Sequence, residues 1–443
     1  MELTHSSPNI WSASRKFWFH FFCCVFILYT FPFPLNDFPF GSVITSLNEK
    51  ILSWYFTSLE MVTTFWHWLI PEVAKKLLHL KPPITIFSNG SGDTTYDYVL
   101  LLTQVLLSFF FAIIWSLLDR KRTSYDNAYY WLHVLLRYYL ASNMLGYGFA
   151  KVFHLQMPYP SLYRLIQPYG DSSPMGLAWT YVGQSKAFSV FAGVSEVICG
   201  LLLLFRKTTL SGALLSLIVM GNVVVINFCF DVPVKLFSSV LEIMALYLVA
   251  PYLKQLYLLL IKNKPVVLNK QQQPLIAKRW LRIFIKILKI LFIADALILG
   301  IWYSVESMNK YGDNAPKAPL YGIYNTITVV RNGDTIAPLI TDTTSWKQLV
   351  IQWSGLAKIK MMNDTSFYYQ FKVDTAKHTA IVFSVKDTLS KANFKYFVDT
   401  TSLTLIGKMK NDSVYINLKR FDEKNFLLMN RGFHWINERP FNR

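Results

Sequence analysis

Seven stretches of the chain are apolar over about the 20 residues that cross a hydrocarbon core roughly 30 Å thick. They run Phe17–Leu35, Tyr98–Leu118, Tyr129–Phe149, Phe188–Phe205, Leu210–Phe230, Leu236–Leu253 and Ile283–Tyr303. Each predicts a membrane helix. The first follows Arg15 and Lys16 and runs into Phe31-Pro32-Phe33-Pro34-Leu35. That sequence is not a small-residue cleavage site, so the run reads as an uncleaved span rather than a signal peptide. The stretch Ile51–Leu80 is ambiguous, because Glu60 interrupts it and Glu72, Lys75 and Lys76 close it. It predicts one or two amphipathic helices lying at the outer interface, with Trp54, Trp66 and Trp68 at headgroup depth.

From about Lys310 the period changes. Two β-rich arms flank Asn332-Gly333 between Thr326 and Ile336, which predicts a hairpin. Thr344–Trp353 reads as a short helix. Alternating segments follow at Phe367–Val373, Thr379–Val385, Phe394–Val398, Leu403–Met409 and Val414–Leu418, with Phe426–Met429 as one more candidate strand. Polar turns such as Lys410-Asn411-Asp412-Ser413 separate them, a spacing that predicts an antiparallel barrel or sandwich. The expected fold is therefore an α-helical polytopic membrane bundle of about seven helices followed by an all-β barrel- or sandwich-like soluble domain.

Composition agrees. Apolar residues make up 53% and charged residues 16% of the 443 residues, against about 25% charge in soluble domains. That excludes a disordered chain, a fibrous repeat and a fully soluble enzyme. The net charge of +18 has a place in this layout. With the N-terminus cytoplasmic, Arg120–Arg122, Arg206–Lys207 and the segment Lys254–Lys289 all fall inside, in accord with the positive-inside rule rather than with nucleic-acid binding. That last segment holds nine Lys or Arg and no acidic residue. Its stretch Lys278–Lys286 reads as an anchor on an anionic leaflet. Seven crossings then export the C-terminal domain. A span at Ile51–Leu80 would move the basic loops outside, which argues against one. The four cysteines, Cys23, Cys24, Cys199 and Cys229, lie in apolar segments, so the β-rich part has no disulfide framework.

Ionisable groups at membrane depth are costly and each is a functional candidate. His133, Arg137, Glu196, Asn222, Asn227 and Glu242 fall within spans, as does Asp295. Arg137 with Glu196 or Glu242 forms a candidate buried ion pair. Such groups either fasten helices together or line a polar cavity for a quinone head group or proton relay. Asp93, Lys151 and Asp231 fall at an outer mouth, where interfacial exposure of Lys151 and Asp231 and helix capping by Asp93 or Thr94 are the plainer readings. The aromatic loop from Met157 to Trp179 would cover that mouth, with a short helix at Ser161–Gln167. The tail carries Arg431, His434, Trp435 and Arg439. It either faces a ligand or partner, or its aromatics Phe433, Trp435 and Phe441 close the barrel end. The nucleotide-binding Gly-rich loop and the Cys-x-x-Cys and His-Glu-x-x-His motifs do not occur, so nothing points to ATP-driven transport, thioredoxin-type chemistry or a metal site.

Two segments carry a resemblance. Arg137-Tyr138-Tyr139-Leu140 through Gly146-Tyr147-Gly148-Phe149-Ala150-Lys151-Val152-Phe153, and Gly193-Val194-Ser195-Glu196-Val197-Ile198-Cys199-Gly200-Leu201-Leu202-Leu203, resemble the DoxX family of bacterial membrane proteins. The resemblance implies a four-helix bundle in the cytoplasmic membrane over 128–253. It also implies that Arg137 and Glu196 sit at the family's polar helix positions. Some members are linked to thiosulfate:quinone oxidoreduction or redox-stress complexes. The extra spans and β domain depart from the simple family. A seven-span bundle with an outer β domain is also similar to the vitamin K-dependent carboxylase and its bacterial relatives. The expected organisation is 1–127 N-terminal spans, 128–253 DoxX-like bundle, 254–282 basic linker, 283–303 last span and 304–443 periplasmic β domain. Three functions stay open: a redox or quinone-associated inner-membrane protein whose β domain binds a periplasmic ligand or partner, a non-catalytic assembly factor of an envelope complex, and a membrane-embedded transferase.

Overall fold

A computed structural model describes residues 10–35, 40, 49–81, 83–84, 86, 89–268, 273–384 and 390–442. Val385, Lys270 and Arg443 lie outside the described residues, as does the side chain of Trp54. The chain divides into two units. One comprises Met1–Gln156 with Ala187–Glu306, the other Met157–Lys186 with Ser307–Arg443.

The first unit is helical. Its elements are α1 (Ala13–Thr30), α2 (Glu49–Lys76), α3 (Thr95–Leu118) and α4 (Asp126–Val152). After the segment that belongs to the second unit come α7 (Lys186–Leu204), α8 (Thr209–Cys229), α9 (Lys235–Val249), α10 (Leu253–Leu260), α11 (Arg279–Ala294) and α12 (Gly300–Lys310). Local chemistry sets several starts. Ser12 caps α1. Thr94 and Asp97 form a capping box at α3, each side chain satisfying a backbone N–H that the helix leaves free. A π-helical turn at Asp295–Leu299 joins α11 to α12, and Asp295 Oδ1 accepts the Phe40 N–H at 2.7 Å.

Four helices among the described residues are long and apolar enough to cross a membrane: α3, α7, α8 and the continuous run Lys235–Leu260 through α9 and α10. The other three expected spans are helical but not uniformly apolar. Arg15, Lys16 and His20 sit in α1, and His133, Arg137 and Lys151 in α4. Arg279, Arg282, Lys286 and Lys289 sit in α11. The ambiguous stretch is one helix, α2, which leaves Phe56, Met61, Phe65 and Trp68 exposed while Ile70 and Ala74 pack against Val99. Leu136, Leu140, Met144, Cys199, Leu203, Met244 and Ala245 are essentially without exposure, so side chains fill the space among α4, α7 and α9.

The second unit is a barrel with the α4–α7 connection attached. That connection holds α5 (Leu162–Leu165) and α6 (Pro174–Gln184). The strands are β1 (Gly322–Arg331), β2 (Asp334–Thr335), β3 (Trp346–Trp353), β4 (Gly355–Met361), β5 (Ser366–Asp374), β6 (Thr379–Ser384), β7 (Ala392–Val398), β8 (Ser402–Met409) and β9 (Asp412–Phe421). Leaving aside the two-residue β2, eight strands among the described residues run up and down antiparallel, and β1 pairs with β9 from Ile323↔Phe421 to Arg331↔Val414. Closure leaves no long unpaired edge among the described residues. The predicted hairpin is present, with Asn332 and Gly333 at φ +53° and +94°, the left-handed pair that a two-residue hairpin turn requires.

Two local expectations fail. Thr344–Trp353 is not a helix but mostly β3. Trp346, Leu349, Val350 and Trp353 have helical spacing, yet the cause is burial on two faces. Leu349 and Ile351 enter the barrel core, while Val350 packs outward under Leu162 and Tyr163. Register shifts at both ends of β3 finish the disguise. Phe426–Met429 is not a strand: Asp422 caps a 3-10 turn and α13 (Leu427–Asn430) follows.

Candidate functional site

The sharpest chemistry in the helical unit lies where α4 meets α7. Gly148 and Gly193 make the approach possible. A Cβ on Gly193 would stand 2.6 Å from the Gly148 carbonyl oxygen and 2.6 Å from Val152 N. Small residues at a helix crossing let backbones close in where lipid offers no hydrophobic drive. Lys151 and Glu196 each follow one of these glycines by three residues. Their side chains lean toward the N-termini of antiparallel helices and so toward each other. Lys151 Nζ donates to both Oε1 and Oε2 of Glu196 at 2.7 Å. The side chains are only 9% and 3% exposed. Ser189 Oγ donates to the Lys151 carbonyl at 2.9 Å, and the Tyr147 ring lies 5.7 Å from Nζ. His154, fully buried with φ +57°, ends the segment.

This arrangement corrects two expectations. Lys151 is buried, not interfacial. Glu196 pairs with Lys151 and not with Arg137, because Arg137 and Lys151 stand about 21 Å apart along α4 at 1.5 Å per residue. Arg137 sits toward the other end, where Nη1 donates to Thr209 Oγ1 at 3.3 Å and the guanidinium covers the Tyr138 ring. His133 is enclosed by the rings of Tyr129 and Tyr247 at 4.4 and 5.3 Å. Glu242 approaches Gly221, and its Oε2 has no partner among the described residues. Asn227 is buried and donates to Ser238 Oγ at 3.0 Å. Asn222 is exposed: it lies about 200° around α8 from buried Met220 at 100° per residue, so it is no part of the bundle core.

The expected outer mouth does not form a single cluster of free groups. Asp93 accepts the backbone N–H of Lys235 at 2.7 Å and of Leu236 at 3.0 Å. It therefore caps α9 from a distant segment, while Thr94 caps α3. Asp231 is 86% exposed and pairs with Lys235 at 2.7 Å. In the tail, Arg431 Nη2 donates to Asn437 Oδ1 and its guanidinium stacks on Phe441 at 4.2 Å. His434 Nδ1 lies 2.9 Å from the Gly432 carbonyl. Phe433 and Trp435 stand in the open, Trp435 at 90% exposure, and do not plug the barrel. Arg439 is exposed as well.

His20 is not among the residues expected from the sequence. It stacks on Trp115 at 4.3 Å and 11°, with Nδ1 2.8 Å from Ser116 Oγ. Its place four residues after Lys16 in an aromatic run was the only signal.

The uncharacterized protein YwoB of Bacillus subtilis (strain 168) is 32% identical to this chain over 121 residues, covering 25% of this chain and 71% of YwoB. The chain belongs to the YwoB family. No family model matches the sequence and no solved structure matches the fold. The shared stretch is about a quarter of this chain, so most of this chain lies outside the alignment. YwoB is itself described as uncharacterized and lends no activity.

Proposed function

We propose that this protein is a membrane-anchored binding protein, with a DoxX-like helical core in the cytoplasmic membrane and a barrel on the exported face. One observation carries the reading: the connection Met157–Lys186 between α4 and α7 belongs to the same unit as the barrel. Leu162 and Tyr163 pack on Ile323 and Val350, and Gln352 Oε1 accepts the Leu162 N–H at 2.7 Å. The α4–α7 loop and the barrel then share one face of the membrane. Starting from that face, α7, α8, α9–α10 and α11–α12 make four passes, an even number, and return to it.

At the opposite ends, Arg120–Arg122 precedes α4, Arg206–Lys207 joins α7 to α8, and the basic segment Lys254–Lys289 runs from α10 into α11, which supports a cytoplasmic place for those ends. The start of α1 meets the same end. The Trp11 N–H donates to the Thr123 carbonyl at 3.0 Å, and Lys16 Nζ to the Arg122 carbonyl at 2.6 Å. With α1, α3 and α4 crossing as well, the count is seven. The close-packed interior favours anchoring over quinone binding. The Lys151–Glu196 pair joins the two DoxX-like segments, as a fastening does. The exposed Phe433 and Trp435 offer the tail as a surface for an envelope partner.

The test is labelling of intact cells with a membrane-impermeant maleimide in a Cys229→Ser background. Single cysteines at Ser172 in the loop and Ser413 in the barrel react, and one at Ser124 reacts only after permeabilisation. Protection of both Ser172 and Ser413 positions refutes the reading.

A further inference from the structure

The α4–α7 connection does more than attach to the barrel. Between its residues 161–171 and the outer face of β3–β5 lies a groove of about 980 Å³, at the upper end of the size of small-ligand sites. Register explains its lining. Ala357, Ile359 and Met361 point into the barrel, so Lys358 and Lys360 point out. On β5 they face Tyr368 and Ser366. A register shift just after Trp346 presents Lys347 to the same side.

The opposite wall supplies Arg164, which is held in place. Its Nη1 donates to Gln167 Oε1 at 2.7 Å, and its guanidinium lies against Gly176, where any Cβ would collide with it. Four cations thus line the groove against two carboxylates, Asp171 and Asp364. Asp364 Oδ1 is itself taken up by Lys347 and Lys360 at 2.7 and 2.8 Å. Beside the charges stand three rings: Tyr163 lies 5.1 Å from Trp353 and 5.7 Å from Tyr368. Trp353 and Tyr368 are about half exposed, at 52% and 49%.

We infer that this groove binds an acidic saccharide, a sugar carrying phosphate or carboxylate. Arg164, Lys358 and Lys360 take the anionic group, since guanidinium and ammonium donors match phosphate and carboxylate oxygens. The apolar face of the sugar ring lies on Trp353 and Tyr368, whose broad amphipathic faces suit it. The Asp364 carboxylate competes with the ligand for Lys360, so binding exchanges one anion for another.

The test is calorimetric titration of the full-length chain in detergent with a hexose phosphate and a uronic-acid trisaccharide, and with maltotriose and inorganic phosphate as controls. The same chain in nanodiscs with and without a lipid-linked hexose phosphate separates a free from a membrane-borne source of the sugar. Saturable binding of the acidic sugars is expected, at least tenfold tighter than either control. Lys358→Ala/Lys360→Ala and Trp353→Ala each weaken it about tenfold, and Asp364→Asn strengthens it.

All these positions are surface groups, and near-ultraviolet circular dichroism confirms that the variants fold. No saturable binding of any acidic sugar overturns the inference, as does binding indifferent to Lys358, Lys360 and Trp353. Inorganic phosphate binding as tightly as the sugars also overturns it, by removing the role of the rings. The titration uses purified chain and reads the groove alone, so its outcome is distinct from that of the labelling test of sidedness.

Discussion

Removing one partner of the Lys151–Glu196 pair should cost far more than removing both. Both carboxylate oxygens lie 2.7 Å from Nζ, and the side chains are nearly inaccessible. Lys151→Met strands a carboxylate, and Glu196→Leu strands an ammonium, in a place water does not reach. Breaking a buried pair in this way costs about 3–5 kcal/mol, whereas replacing it by packed apolar groups of similar volume is commonly neutral or stabilising. Glu196→Gln keeps an acceptor and falls toward the lower end of that range. The double variant Lys151→Met/Glu196→Leu should return to within about 1 kcal/mol of the parent, a coupling of several kcal/mol between the two sites. The assay is denaturant titration in mixed micelles, followed by tryptophan fluorescence for the four chains. If the single substitutions each cost under about 1 kcal/mol and simply add in the double variant, the pair does not fasten α4 to α7.

Other perturbations test other links. Gly193→Ala places a methyl 2.6 Å from the Gly148 oxygen and Val152 N; backbone cannot yield as a side chain can, so about 1–3 kcal/mol is lost, and crosslinking between α4 and α7 cysteines slows. Gly200→Ala meets chiefly the Leu145 side chain and is expected to cost less in the same assay. Asp93→Ala leaves the first N–H groups of α9 unsatisfied and costs about 1 kcal/mol, read in the same titration; no loss at all would separate the Gly92–Asp93 segment from the α9 start. In the barrel, hydrogen bonds from Lys347 and Lys360 hold the Asp364 carboxyl down at about 2. The Thr401 backbone N–H and Ser402 hydroxyl do the same for Asp399, also to about 2. A depressed folded value means the contribution is complete above the ordinary carboxylate value of about 4 and is lost as pH falls through 2. Near-ultraviolet circular dichroism should therefore report barrel loosening between about pH 4 and 2, and Asp364→Asn/Asp399→Asn should blunt that dependence.

Much of the fold was legible because its signals are local. Apolar runs between basic clusters mark helices and their ends, and Thr94 with Asp97 marks the start of α3. Alternation along β5 to β9 and the Asn332-Gly333 turn mark an antiparallel β domain. Each depends on neighbours within a few residues, which the chain alone contains.

Tertiary structure decided the rest. Whether Glu196 meets Arg137 or Lys151 depends on where α4 and α7 cross, and the backbone approach at Gly148 and Gly193 sets that point. Asp93 caps a helix that begins more than a hundred residues later. Asn222 and Asn227 look alike in the sequence and differ only in which side of α8 its neighbours cover. The helical spacing of Trp346, Leu349, Val350 and Trp353 misleads because both faces of β3 are buried, one of them by a loop from between two helices. Periodicity reports how many faces are covered but not what covers them. The covering groups come from distant segments whose docking no local pattern encodes.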